Sequence, residues 1–352
     1  MNSSIITLKE IARRLGVSKS TVSRALRDSS EIGEETKRKV LELAQELSYS
    51  PNPIALSLQR SRSQTIGIIV PEIANSFFAL VISGVEEVAY RMGYHIIIYQ
   101  SHDSVDREVA DVRNILVRRA DGLVVSTASS VRNGDHFRTL QEQGIPVVFF
   151  DRKVDNFQTH QVLVDDFDGA FRATEHLIAQ GCRRLACLTG PQHLPIVQQR
   201  TAGFRAALHK NNLPVREEWL VEGPFRQQSG NQLTKELCAN AADYPDGILA
   251  ASTSIALGAH LAIREMGLRM PEQVALIGFS DPPIAPLLDP PLSSVAQPGF
   301  EMGQQAAELL IDLIEKKGKP IRYQTRILQT DLVIRKSSER KGSMVEEMNE
   351  FI

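Results

Sequence analysis

Lys19-Ser-Thr-Val-Ser-Arg24 gathers two cations and three hydroxyls into six residues, with Ser18 directly before them. On a helix, Val22, Ala25 and Leu26 share one face. Lys19, Ser20, Thr21, Ser23 and Arg24 then point the other way. Such a face can donate hydrogen bonds to base edges, and the arginine fork matches guanine O6 and N7. Downstream, Phe77-Phe78 and Asp151-Arg152 each follow an apolar run that reads as a strand, and side chains at strand ends are placed to meet a ligand.

The first set needs a short helix with a buried back. Thr7-Leu-Lys-Glu10 reads as a capping box that opens a helix with Ile11, Ala12 and Leu15 on one face. Gly16 ends it, and Ser18 caps the next helix three or four residues on, the spacing of a helix-turn-helix. A third helix runs from about Glu34 to Leu47, with Val40, Leu43, Ala44 and Leu47 on its apolar stripe. The competing reading of residues 1–50 is a three-helix protein-interaction module with a solvated polar face. In the connector, residues 51–63, Asn52 is a good N-cap and Pro53 suits the first helical position. A two-turn helix with small Ala55 and bulky Leu58 suits the minor groove, the leucine wedged between base steps. The alternative is an ordinary linker whose leucines pack on the body.

Charge agrees with a polyanion-binding head. The whole chain of 352 residues carries a net charge of -2, but it is unevenly spread. Residues 1–62 hold 11 Lys and Arg against seven Asp and Glu, a charge of +4, which leaves -6 for the rest. Three cysteines, an odd and sparse set, fit a reducing compartment and exclude a disulfide scaffold. The opening residues show no apolar signal segment, and no run approaches the ~20 apolar residues of a membrane span. The expectation is a soluble cytoplasmic protein with no membrane partner.

Thr7 to Leu26, Tyr49-Ser-Pro-Asn52 and Ala55 to Leu58 together resemble the headpiece and hinge of the LacI/GalR family of bacterial transcription regulators. The resemblance implies that Lys19, Ser20 and Arg24 sit at base-reading positions and that Leu58 is the intercalating hinge leucine. With Thr7, Ser18, Thr21, Ser23, Asn52 and Ala55 they form the expected DNA-binding set. The implied partner is a palindromic double-stranded operator bound by a homodimer, because two heads must lie about one helical turn apart.

The body, residues 64–335, alternates apolar runs with helical patterns. Residues 65–70, 94–99, 122–125 and 147–150 read as buried parallel strands, with helices near 76–92, 105–118 and 134–143. The pattern repeats after residue 165, with strands at 185–188, 219–222, 248–251 and 274–278. The fold class is therefore an all-α headpiece joined to a two-lobed, doubly wound α/β body of periplasmic-binding-protein type. Residues 64–164 plus 298–324 are assigned to one lobe, and 165–297 plus 325–335 to the other. One strand near 326–334 and a short crossing segment at 162–164 complete the chain, and residues 336–352 read as a frayed tail with Met344, Val345, Met348, Phe351 and Ile352 at helical spacing.

Ligands of open parallel sheets bind at the carboxyl ends of strands, so two facing lobes make a cleft there. Phe77 and Phe78 follow the first strand, where a loop pair could cover a ligand or belong to the core. By the family resemblance, Asp151 hydrogen-bonds ligand, Arg200 contacts it and Phe225 stacks on it. Ser252 and Ser280-Asp281 depart from the Asn-Asp and paired acids that many relatives carry at those places. Hydroxyls thus replace charged or amide groups at two contact positions, which leaves the sugar undefined. The sequence has no GxSxG, HExxH or Walker A motif, no paired metal-ligand spacing and no cofactor signature, so no catalytic or metal residue is assigned. The expected function is a ligand-responsive, sequence-specific DNA-binding regulator, a repressor of carbohydrate-metabolism genes. The alternative is a cytoplasmic sugar-binding protein without operator control.

Overall fold

The computed structural model describes residues 6–47, 49, 62–316 and 320–340. Asn52, Ala55 and Leu58, and the apolar residues of the tail, lie outside them. The chain divides into two compact units at Ser63–Gln64.

The first unit holds α1 (Leu8–Leu15), α2 (Lys19–Ala25) and α3 (Glu34–Glu46). Ile11, Ala12, Val22, Ala25, Val40 and Ala44 form its buried centre. Gly16, at φ 64, closes α1 in the left-handed region where a side chain would be strained. Ser18 caps α2 as its position suggests, its hydroxyl accepting from Thr21 N at 3.0 Å. The capping box on α1 does not form: Thr7 makes no side-chain cap bond. The Glu10 carboxylate is taken instead by Arg13 at 2.7 Å and Arg14 at 3.0 Å, which hold it down to about 2. Two charge-assisted bonds outcompete one backbone N–H.

The second unit is built on two six-stranded sheets. The first has the order β11-β5-β4-β3-β1-β2, with β1 (Thr65–Val70), β2 (His95–Gln100), β3 (Gly122–Val125), β4 (Val147–Phe150), β5 (His160–Val164) and β11 (Thr325–Leu328). The second has the order β12-β10-β9-β8-β6-β7, with β6 (Leu185–Thr189), β7 (Leu220–Glu222), β8 (Gly247–Ala250), β9 (Ala275–Phe279), β10 (Ser293–Ala296) and β12 (Asp331–Val333). Every pairing is parallel except the antiparallel β10–β12. Central strands such as β3, β4 and β6 are buried throughout, as helices on both faces require.

Helices α4 (Ser76–Arg91), α5 (Val105–Val117) and α6 (Asp135–Glu142) wrap the first lobe with α11 (Gly299–Glu315). Helices α7 (Asp166–Ala179), α8 (Pro195–Lys210), α9 (Gln227–Leu237) and α10 (Thr253–Glu265) wrap the second. α4 and α11 meet almost backbone to backbone. A Cβ on Gly84 would lie 2.0 Å from the Phe300 carbonyl, and one on Gly303 would lie 2.1 Å from that of Val81.

Four expectations are corrected here. Residues 326–334 are not one strand: β11 joins the first sheet beside β5, and only β12 joins the second. Residues 325–328 therefore belong to the first lobe. The segment at 162–164 is part of a full strand, β5, in the first sheet. Strand β2 is not buried; it is an edge strand with Ile98 exposed, and an apolar run alone cannot tell edge from centre. The frayed tail begins later than residue 336. Ser337 and Ser338 are fully buried, Ser337 N donates to the Pro291 carbonyl, and Arg340 donates to the carbonyls of Asp246 and Pro271.

Candidate functional site

The polar face of α2 stands out from the head. Lys19, Ser20 and Arg24 are exposed, while Thr21 and Ser23 are half-buried. The hydroxyls are partly engaged with one another: Ser18 Oγ lies 2.7 Å from Ser20 Oγ and 2.8 Å from Thr21 Oγ1. Ser23 accepts from Arg27 at 2.7 Å. Lys19 has no hydrogen-bond or ion-pair partner among the described residues, and Arg24 Nη1 donates to Glu31 at 2.6 Å. Thr7, also assigned to the DNA-binding set, lies directly before α1 as its N-cap.

In the body a cavity of about 1210 Å³ opens between the lobes at the carboxyl ends of the strands. Phe77, Phe78, Asp151, Arg200, Phe225, Ser252 and Ser280 all line it. Phe77 and Phe78 occupy the first turn of α4 rather than a loop, because Asn75 caps that helix and accepts from Phe77 N. Both are buried and edge-packed at 5.2 Å, and Phe78 also meets Phe150 in the core. They are core and cavity wall at once.

Asp151 follows β4 with φ 55 and is buried. Ser126 Oγ donates to it at 3.3 Å, and burial pushes its carboxyl above the ordinary range. Phe225 seats on Gly190, where any Cβ would strike its ring at 2.2 Å. Ser252 caps α10, its hydroxyl accepting from Ile255 N. Ser280, at φ 69, donates to Gln297 Oε1. Backbone strain of this kind costs on the order of 1–3 kcal/mol and gathers at functional sites.

Arg200 is not the open fork that its sequence position suggests. Nε and Nη2 both reach Asp166 Oδ1 at 2.7 Å, Nη1 reaches the Ala251 carbonyl at 2.6 Å, and the guanidinium lies 3.9 Å from the centre of the Phe279 ring. Burial pushes Asp166 up to about 6 in spite of this cation. Asp281 is also corrected. It does not line the cavity; Arg335 grips both of its oxygens, at 2.7 and 2.8 Å. A carboxylate beside a cleft goes to the nearest cation of its own lobe, and no local pattern places Arg335 there.

Arg152 and Gln297 are among the residues of this wall that sequence reasoning left unassigned. Arg152 donates to Asp103 at 2.7 Å and lies 5.1 Å from the Phe225 ring of the other lobe. Gln297, on the crossing between β10 and α11, also lines the cavity. Gln297 Nε2 is buried without a hydrogen-bond partner among the described residues, and so is Arg152 Nε, whose nearest anion, Asp151, stands 3.9 Å away. Each such donor costs about 1–3 kcal/mol, and ligand oxygens are the acceptors this wall calls for. The available signal was Asp151-Arg152 at a strand end. His193 ties the rims together, Nε2 donating to the Ser129 carbonyl, while Asp103 holds Ser129 N at 2.7 Å.

All three cysteines are buried and free, with Cys187 pushed up to about 12 by desolvation. No group of three or more potential metal ligands occurs among the described residues. No helix among them is long and apolar enough to cross a membrane.

A helix-turn-helix unit joined to a two-lobed binding body with a hinged cavity defines a ligand-responsive, DNA-binding transcriptional regulator. Residues 7–52 match the bacterial regulatory proteins of the lacI family, and residues 174–338 match a periplasmic binding protein-like domain. The chain belongs to the lacI family. It is 30% identical over 332 residues to the HTH-type transcriptional repressor CytR of Escherichia coli K12, spanning 94% of this chain and 96% of that protein. It is likewise 30% identical over 313 residues to the repressor PurR of Vibrio vulnificus, spanning 88% and 92%. The lac repressor dimer bound to operator and the anti-inducer ONPF superposes with a TM-score of 0.82 at 27% identity, covering 96% of this chain and 100% of that one. The complex of the regulator CelR with cellobiose gives 0.71 at 30% identity, covering 94% and 99%.

Proposed function

We propose that this chain is a homodimeric repressor of carbohydrate-metabolism genes whose effector, a sugar or sugar derivative, binds between the lobes and sets operator affinity. The observation that carries the reading is the cavity wall. Donors on Arg152 and Gln297 without a hydrogen-bond acceptor, the Asp151 carboxyl and the Phe225 ring line one space, the combination a polyhydroxylated ring requires. The CelR complex with cellobiose and a LacI family regulator from Enterococcus faecium with bound ribose support the sugar class. The wall binds rather than converts its ligand, so no turnover is expected.

Lys19, Ser20 and Arg24 read bases in the major groove, and Leu58 wedges the minor groove between them. The test begins with selection of tight-binding duplexes from a random pool by the full-length protein. Palindromic half-sites about one helical turn apart are expected. Titration of the selected duplex against a panel of mono- and disaccharides should then find one that shifts affinity. A selected pool without symmetry, or a Leu58→Ala protein that binds as tightly as the parent, contradicts the reading. Sugar binding with no duplex selected would favour a binding protein without operator control.

A further inference from the structure

The turn after α2 folds the chain back on its own polar face. Arg27 N and Ser29 N both donate to the Arg24 carbonyl at 3.1 Å, and Asp28 takes φ 53. Ile32 packs on the head core, which fixes its neighbour Glu31 beside α2. Seven residues from Arg24 in sequence, Glu31 Oε2 then receives Arg24 Nη1 at 2.6 Å. The contact uses one nitrogen of the guanidinium. The edge formed by Nε and Nη2, a pair of parallel donors, has no partner among the described residues. That edge alone is enough for a bidentate guanine contact.

We propose that Glu31 is a positioning residue for Arg24, holding the guanidinium by Nη1 so that its other edge is offered to a purine while its charge is withheld from phosphates. The proposal rests on Arg24 reading bases. Two consequences follow from the chemistry. A guanidinium already paired with a carboxylate gains little from a phosphate, so binding to random DNA is weakened. A guanidinium held in one orientation loses less freedom at the correct base, so binding to cognate DNA is favoured. Both raise the ratio of specific to non-specific affinity. The pair is exposed, and exposed pairs are weak, so the effect on this ratio is roughly two- to fivefold.

The test compares full-length parent, Glu31→Gln, Arg24→Ala and the double variant on a duplex selected by the parent and on a random-sequence duplex, by fluorescence anisotropy over a salt series. Glu31→Gln should lower the specificity ratio roughly two- to fivefold. It should also steepen the salt dependence on random DNA by up to about one unit of log–log slope, as one more phosphate is engaged. In the Arg24→Ala background the same change should leave the ratio where it was. An equal gain on both duplexes would show plain charge repulsion and overturn the proposal. So would an unchanged ratio, or an effect that survives without Arg24. Equal losses of Arg24→Ala on both duplexes would remove the base-reading role itself, a separate failure visible before Glu31 is considered.

Discussion

Arg200→Ala should cost both stability and response, because the side chain serves the second lobe before it serves a ligand. Its charge and that of Asp166 are both about 5% exposed and meet at 2.7 Å. Removing one partner of a buried pair costs about 3–5 kcal/mol, since the other charge stays buried and uncompensated. Loss of the contact with the Phe279 ring adds on the order of 1 kcal/mol. Asp166 limits the damage by taking up a proton, which its raised pKa makes inexpensive. The net loss near pH 8 is therefore about 4 kcal/mol, a fall of roughly 8–16 °C in the body's unfolding midpoint.

The pH dependence is the sharper signature. Asp166 titrates in the folded protein at about 6. At pH 5 it is largely neutral in both proteins, the ion pair is absent from both, and the difference should shrink to less than half. Circular-dichroism melts at pH 5 and 8 read this directly. At 10 °C, where the variant remains folded, gel shifts should show operator binding retained and the sugar response lost. A variant that melts with the parent at pH 8, or a penalty that grows on acidification, would refute the buried-pair reasoning. A variant that still responds to sugar would remove Arg200 from the ligand wall.

Asp166→Asn should alter the stability profile itself. A carboxyl raised on folding contributes stability that is complete below its unfolded value of 3.8 and is lost as pH rises through about 6. The parent should therefore lose up to about 3 kcal/mol relative to the variant between pH 4 and 7, and parallel urea midpoints across that range would contradict it. Cys182 and Cys187, both pushed up to about 12, should resist iodoacetamide at pH 8 until urea unfolds the body; rapid labelling of the native protein would disagree. His193→Ala removes a bond between the rims and should lower ligand affinity a few-fold in calorimetry, because the closed state is less populated at the outset.

Periodicity made much of this architecture legible. The helix start at Ser18 follows from a cap that accepts locally, and the buried runs of β3, β4 and β6 need no tertiary information. The corrected parts depend on which partner wins, most often a distant one. Gln329-Thr330 divides the last extended segment because β5 and β10, over thirty residues upstream, each offer an open edge to it. Glu10 abandons its cap for arginines on its own helix, and Asp281 is claimed by Arg335, 54 residues away. The cavity wall takes Asp151 from the end of β4, Phe225 from the loop after β7 and Arg200 from within α8, residues that the family resemblance picked out by type. Their states were not legible: Arg200 is already paired, and Arg152 bridges the lobes through Asp103 and Phe225.

Three crossings join the lobes, at Val164–Asp166, Ala296–Gly299 and Leu328–Asp331, and the first and third are bonded to each other. Asp165 N donates to the Leu328 carbonyl at 2.9 Å, and Arg172 donates to Thr330 Oγ1 at 3.0 Å. The middle crossing carries Gln297, which is also cavity wall. A ligand that engages Gln297 thus acts on a crossing itself, while Arg152 and His193 register whether the rims have met. The far end of the first sheet is stiff. Gln64 accepts from His95 N and donates to Asp121, each at 2.8 Å, so the start of β1 is pinned between β2 and β3. Rotation of the first lobe must carry Gln64, where the connector enters the body, as part of one rigid sheet. Coupling then requires only that the ligand bind the two lobe arrangements unequally, and operator must bias ligand affinity by the same factor in return. A molecule that fills the cleft equally well in both arrangements would occupy it and leave operator affinity unchanged.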